Sequence, residues 1–73
     1  DIDHDFMASM RKHHQDGIRM AEIALRSAED PEVRSFAQQV IDEQTRDLAK
    51  LDAWLKKHSA DQKSNQGRES PQR

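Results

Sequence analysis

Seventy-three residues without a cysteine can build at most one small domain, and they exclude disulfides, thiolate zinc sites and cysteine nucleophiles. A net charge of −2 with both signs interspersed, and an aromatic content of 4%, argue against nucleic acid as a partner. No apolar run approaches the length of a transmembrane helix, so we expect no membrane partner either. A chain this short needs a metal or a partner chain to stabilise it.

The first predicted element is a helix over about residues 4–28. Asp3 is its predicted N-cap, and Asp5 suits the positive end of the helix dipole. Positions at spacings of three and four form one continuous stripe along this helix. The stripe consists of Phe6, Met10, His13, Gly17, Met20 or Ala21, Ala24 and Ala28.

A second helix is predicted over residues 31–58. The segment "SAEDPEV" separates the two patterns, because Asp30 can cap a new helix and Pro31 fits its first position. The stripe of this helix consists of Val33, Phe36, Val40, Gln44, Asp47, Leu51, Trp54 and His58. Residues 59–73 contain no large apolar residue, and we predict that they form a disordered polar tail.

The short connection between the helices predicts an all-α fold, an antiparallel two-helix hairpin over residues 1–58. Each helix presents a broad apolar face, and two such faces cannot cover each other completely. A symmetric homodimer that forms a four-helix bundle is the simplest way to bury them.

Polar residues interrupt both stripes at one level of the predicted hairpin. In an antiparallel hairpin folded about Asp30, residues whose numbers sum to about sixty lie at similar heights. His13 and His14 then face Gln44 and Asp47. Buried polar groups need partners, and two interpretations provide them. Either the four side chains bond to one another, or a metal ion lies among them.

The metal interpretation assigns a soft to borderline donor set of imidazole and thioether groups, which suits copper. Its predicted ligands are His13, His14, Met10 and Met20, and the residues predicted to orient them are Gln44 and Asp47. Since adjacent residues are about 100° apart on a helix, one histidine is expected to face the hairpin core and the other the dimer partner.

Enzymatic activity is not expected. No nucleophile–base pair is visible, and the Glu-x-x-His motif of di-iron bundles does not occur in the chain. The leading hypothesis is a non-enzymatic copper-binding protein. The alternative is a metal-independent structural or interaction module, in which the buried polar layer sets the register of the dimer.

Two segments, "DHDFMASMRKHHQDGIRMA" and "FAQQVIDEQTRDLAKLDAWL", together resemble the bacterial domain-of-unknown-function family 305. The family pattern has Asp-x-x-Phe, Met-x-x-His-His, a Met-Ala pair and then Gln-x-x-Glu with Met and Trp downstream. The resemblance implies a ferritin-like helical bundle, an exported or periplasmic location, and copper binding in some members. Three positions depart from the pattern: Gly17 stands for a usual Ala, Asp47 for Glu and Leu51 for Met.

Overall fold

A computed structural model describes the backbone of residues 1–66 and the side chains of residues 1–59. The first helix, α1, spans Ile2–Ser27, and the second, α2, spans Pro31–Gln66. The two helices pack against each other in an antiparallel hairpin, and no strand occurs among the described residues. The predicted all-α hairpin is therefore confirmed.

Helix α1 begins two residues earlier than predicted, and Asp3 is not its N-cap. Asp1 is the cap, because its carboxylate accepts a hydrogen bond of 3.0 Å from the backbone N–H of Asp3. At the other end the chain turns extended at Ala28. There the guanidinium of Arg34 donates to the carbonyl oxygens of Leu25 and Ala28, which α1 leaves without helical partners.

Helix α2 starts as predicted. The Asp30 carboxylate accepts a hydrogen bond of 2.8 Å from the N–H of Glu32, and Pro31 is the first helical residue. The helix continues to Gln66, past its predicted end at residue 58, because no glycine or further proline interrupts it before Gly67. Residues 67–73 lie outside the described residues, so disorder in that part of the tail stays a prediction.

The seam between the helices holds a small core. Among the side chains that the structure describes, Ala21, Ala37 and Leu51 are the buried hydrophobic ones. Several large apolar side chains remain exposed instead: Ile2, Phe6, Met20, Ile23, Val33 and Phe36. One hairpin therefore covers the seam and leaves much of each predicted stripe open to solvent.

The two faces of the hairpin differ in character. On one face the helices form two grooves lined mostly by apolar residues, and Phe6 borders the first and Phe36 the second. On the opposite face the depression between the helices is lined by three polar residues and two apolar ones: Gln15, Arg19, Glu22, Ile18 and Leu48. Over the residues described, neither helix carries an apolar stretch long enough to cross a bilayer.

Candidate metal site

His14 is the histidine of the adjacent pair that faces the second helix. Its side chain is 12% exposed, and its Nδ1 lies 2.8 Å from the backbone carbonyl oxygen of Met10, one turn earlier in α1. A carbonyl oxygen only accepts hydrogen bonds, so Nδ1 must carry the hydrogen. This bond holds the ring in one orientation and leaves Nε2 as the nitrogen directed away from the α1 backbone.

The second nitrogen of His14 faces a carboxylate on α2. Nε2 lies 3.5 Å from Oδ2 of Asp47, a separation longer than an ordinary N–H···O hydrogen bond. A neutral ring, with its hydrogen on Nδ1, turns a lone pair towards this carboxylate, whereas an imidazolium would donate to it. The predicted facing of His14 and Asp47 across the hairpin is present in the structure.

Around this pair the helices form the first groove, of about 280 Å³. Met10 and Leu51 line it together with His14 and Asp47, and Lys50 stands at its border. Met10 thus contributes its carbonyl to the orientation of His14 and its side chain to the wall of the same groove. The groove combines an imidazole nitrogen, a carboxylate and a thioether-bearing side chain.

The other two predicted ligands lie elsewhere. His13 is exposed, and its ring is 6.1 Å from that of His14 in an edge-on arrangement. Met20 is 70% exposed and borders the second groove. Of the four predicted ligands, one hairpin therefore brings Met10 and His14 to the same groove and leaves His13 and Met20 outside it.

Gln44 packs against Gly17 rather than against a histidine. Its amide oxygen Oε1 is buried without a hydrogen-bond partner, and a Cβ atom added to Gly17 would collide with it. A buried amide oxygen without a partner costs free energy. Gln44 lies at the level of Gly17 and faces it across the seam. No hydrogen bond between Gln44 and His13 or His14 is found among the described contacts.

Electrostatic contacts outside the groove lie on the exposed surface. The Lys12 ammonium donates to Asp16 at 3.1 Å, and this hydrogen bond and charge, with a smaller contribution from Arg19, lower the pKa of Asp16. Between the helices, Arg11 forms an ion pair with Asp52. Both contacts are solvated, so each contributes little to stability.

A ring cluster lies near the open end of the hairpin. The Trp54 ring stacks on the His58 ring, with the ring centroids 4.1 Å apart. On its other contact, the centroid of the Trp54 ring lies 6.5 Å from that of the His4 ring. The stripe predicted for the second helix contains Trp54 and His58, but the sequence did not predict that the Trp54 ring lies between those of His4 and His58. Residues whose numbers sum to about sixty lie at similar heights in this hairpin, and this places His4 within about one turn of Trp54, as it places His14 near Asp47.

The comparison with known families bears on this geometry. The profile of the family described as "Domain of unknown function (DUF305)" matches residues 3–73. The chain belongs to the DUF305 family. Searches among curated proteins and among solved structures gave no match. The resemblance seen in the sequence is thereby confirmed.

The three positions at which this chain departs from the DUF305 family pattern all lie near the level of His14. Asp47 and Leu51 line the first groove with His14, and Gly17 lies against the amide of Gln44. Among the described residues, no group of three or more His, Cys, Asp or Glu side chains could hold a metal ion. At this level one hairpin brings together one imidazole and one carboxylate, those of His14 and Asp47.

Gly17→Ala tests how firmly the Gln44 amide is held. Alanine favours a helix by about 1 kcal/mol over glycine, and the atom in its way is the far end of a flexible side chain. We expect the free energy of unfolding to rise by about 0.5–1 kcal/mol, measured by urea denaturation followed by circular dichroism.

The control is the same substitution in a Gln44→Ala background, where the whole gain of about 1 kcal/mol should be recovered. Destabilisation by Gly17→Ala in the natural background only would show instead that the Gln44 amide cannot move aside.

Proposed function

We propose that this DUF305 domain is a non-enzymatic metal-binding protein and that copper is the ion it binds. The observation that carries the proposal is the pair formed by His14 Nε2 and Asp47 Oδ2, 3.5 Å apart. Two ligands about 2.0–2.1 Å from one tetrahedral ion are roughly 3.3–3.5 Å apart, so the spacing of this pair fits a shared ion.

The hydrogen bonding of the His14 ring supports the same assignment. Histidine ligands commonly donate their second ring N–H to a carbonyl or carboxylate, and the Met10 carbonyl takes that role here. Asp47 faces the nitrogen that would bind the metal, not the nitrogen that orients the ring. The geometry therefore favours Asp47 as a ligand, in place of the orienting role that the sequence suggested.

The donor set favours copper among the common ions. Imidazole suits copper and zinc, and the thioether of Met10, on the wall of the same groove, adds a soft donor that suits Cu(I). Magnesium and calcium prefer all-oxygen sites and fit this groove poorly. When bound, the ion would supply a cross-link between α1 and α2.

The direct test is a set of thermal melts with Cu(I), Cu(II) and Zn(II). We expect copper to raise the melting temperature, because an ion at 100 times its dissociation constant stabilises the folded state by about 2.7 kcal/mol. The control is a double variant, His13→Ala with His14→Ala. A melting temperature that copper leaves unchanged, and identically so in the double variant, would contradict the proposal.

A second candidate function is a metal-independent interaction module. The favouring observation is that a protonated His14 would pair directly with Asp47 across the seam, next to the Arg11–Asp52 ion pair. Such a layer could set the register of assembly. Sedimentation of His14→Ala and Asp47→Ala variants, with and without a chelator, distinguishes the two candidate functions. If the domain is an interaction module, the substitutions change the assembly and the chelator does not.

A further inference from the structure

We propose that a second copy of this chain covers the face that carries the two grooves, and that its own His14 and Asp47 complete the coordination of one shared ion. This surface, the groove face, contains the linings of both grooves, with Phe6 in the first and Phe36 in the second. The pairing of the faces stands on the hairpin's geometry alone, whereas the shared ion rests on the proposed function.

The groove face gathers exposed apolar side chains. Phe6 is 59% exposed and Phe36 is 65% exposed, and they border the first and the second groove respectively. Met20 and Val33 border the second groove as well and are also exposed. Single exposed apolar residues are ordinary, but a contiguous row of them marks an interaction surface.

The same face also provides depressions that could receive these side chains. The second groove, of about 270 Å³, has small residues in its lining: Gly17, Ala21, Ala24 and Ala37. Because protruding and receding positions occur on one face, that face is complementary to itself. This property is what a symmetric dimer interface requires, since the same patch is used on both subunits.

The charges on the groove face point to the same partner. The described linings of the two grooves contain two charged residues of opposite sign, Asp47 and Lys50. A second copy would therefore bring no excess charge of either sign to the interface. The described depression on the opposite face has Arg19 and Glu22 in its lining beside Ile18 and Leu48, so it is more polar than the second groove.

The size of the core gives the physical reason for a partner. The buried hydrophobic residues among the described side chains are two alanines and a leucine, Ala21, Ala37 and Leu51. Few large apolar side chains are fully buried against the conformational entropy lost by two long helices, so further burial by a partner would stabilise the hairpin. A second copy on the groove face would bury Phe6, Phe36 and their neighbours in a four-helix arrangement.

The position of the candidate site makes it shared. Helix α1 spans Ile2–Ser27, so His14 lies at its middle, with Asp47 beside it on α2. A two-fold axis in the plane between two groove faces can run along the helices or across them. An axis along the helices keeps every residue at its own height, and an axis across them brings the two middles together when the hairpins overlap fully, so each site meets its own copy.

The count of ligands agrees with this placement. One hairpin offers one imidazole nitrogen and one carboxylate, and two hairpins offer two of each, a four-ligand set of the nitrogen and oxygen donors that suit Cu(II). His13 and Met20 share the stripe of Met10 by helical spacing, so a partner on this face would also cover these exposed side chains.

The experiment is sedimentation equilibrium of the full 73-residue chain, with and without Cu(II), combined with metal analysis of the separated species. We expect a dimer that holds one copper ion per two chains. Free Cu(II) at 100 times its dissociation constant should lower the dimer dissociation constant about 100-fold, because the shared ion binds the dimer only. The melting temperature should also rise with protein concentration.

Two charge substitutions serve as a matched pair. Phe36→Glu places a carboxylate on the groove face, and Ile23→Glu makes the same kind of change at an exposed apolar residue that borders neither groove. We expect Phe36→Glu to raise the dimer dissociation constant at least about 30-fold and Ile23→Glu to leave it nearly unchanged. If Phe36→Glu loses its helical circular dichroism, Phe36→Ala replaces it.

Each outcome decides a separate point. A helical monomer at all concentrations, or equal effects of the two substitutions, overturns the pairing of groove faces. A monomer that binds one copper per chain overturns this inference and leaves the proposed function standing. A dimer with one ion per chain overturns the shared site. A dimer that binds no copper supports the face pairing and contradicts both the shared ion and the proposed function.

Discussion

Replacing His14 with alanine is expected to weaken copper binding about 100-fold or more. Removal of a group that only orients a metal ligand commonly costs 10–100-fold in affinity, and His14 is assigned as a ligand itself. The assignment rests on its Nε2, which faces Asp47 while Nδ1 is held by the Met10 carbonyl. The affinity is measured by competition with a chromogenic Cu(I) chelator.

His13→Ala is the matched control, since it removes the same ring from the adjacent, exposed position. We expect its affinity to fall less than about tenfold, below the cost of a lost ligand. Asp47→Asn keeps the size of the side chain but removes its charge, and it should lie between the two. Equal losses for His13→Ala and His14→Ala would show that the structure assigns the wrong histidine.

Replacing Leu51 with alanine should destabilise the domain by about 2–3 kcal/mol. Leu51 is the one large side chain among the buried hydrophobic residues described, and truncation of a buried leucine leaves a cavity that the neighbours fill only in part. The measurement is urea denaturation followed by circular dichroism at one fixed protein concentration, because any assembly makes stability depend on concentration.

Two further substitutions separate packing from metal chemistry at this position. Ile23→Ala, at an exposed site, should change stability by less than about 0.5 kcal/mol. Leu51→Met conserves volume and should cost less than about 1.5 kcal/mol. It also adds a thioether to the wall of the groove that Met10 lines, so Cu(I) should bind more tightly. Unchanged Cu(I) affinity in Leu51→Met would argue against a thioether contribution from this groove.

Several features of the fold could be predicted because they depend on local chemistry. The apolar spacing of three and four predicts both helices, and the Asp30–Pro31 pair predicts the start of the second one. The N-cap was assigned to Asp3 instead of Asp1, because the two aspartates have equal capping ability and are separated by a single residue. The end of α2 was placed too early, since loss of apolar periodicity does not by itself stop a helix.

The sequence predicted the height of the candidate site along the hairpin, but not which of its residues face one another. Antiparallel pairing brings His14 to Asp47 by simple counting of residues. The same counting cannot tell His13 from His14, because a rotation of about 100° separates adjacent residues and only the packing of the second helix selects one of them. The interaction of Gln44 with Gly17, and its unpaired oxygen, likewise depends on how closely the helices approach.

What the sequence determined by itself is the class of the molecule: two helices joined by a short turn, each with a broad apolar face, and no cysteine. Tertiary structure alone decided which side of each helix is covered. It turned His14 inwards and left His13, Met20 and Phe36 on the surface. The physical reason is that helical periodicity sets the spacing of residues along a stripe, whereas the rotation of each helix about its axis is set by side-chain packing between the helices.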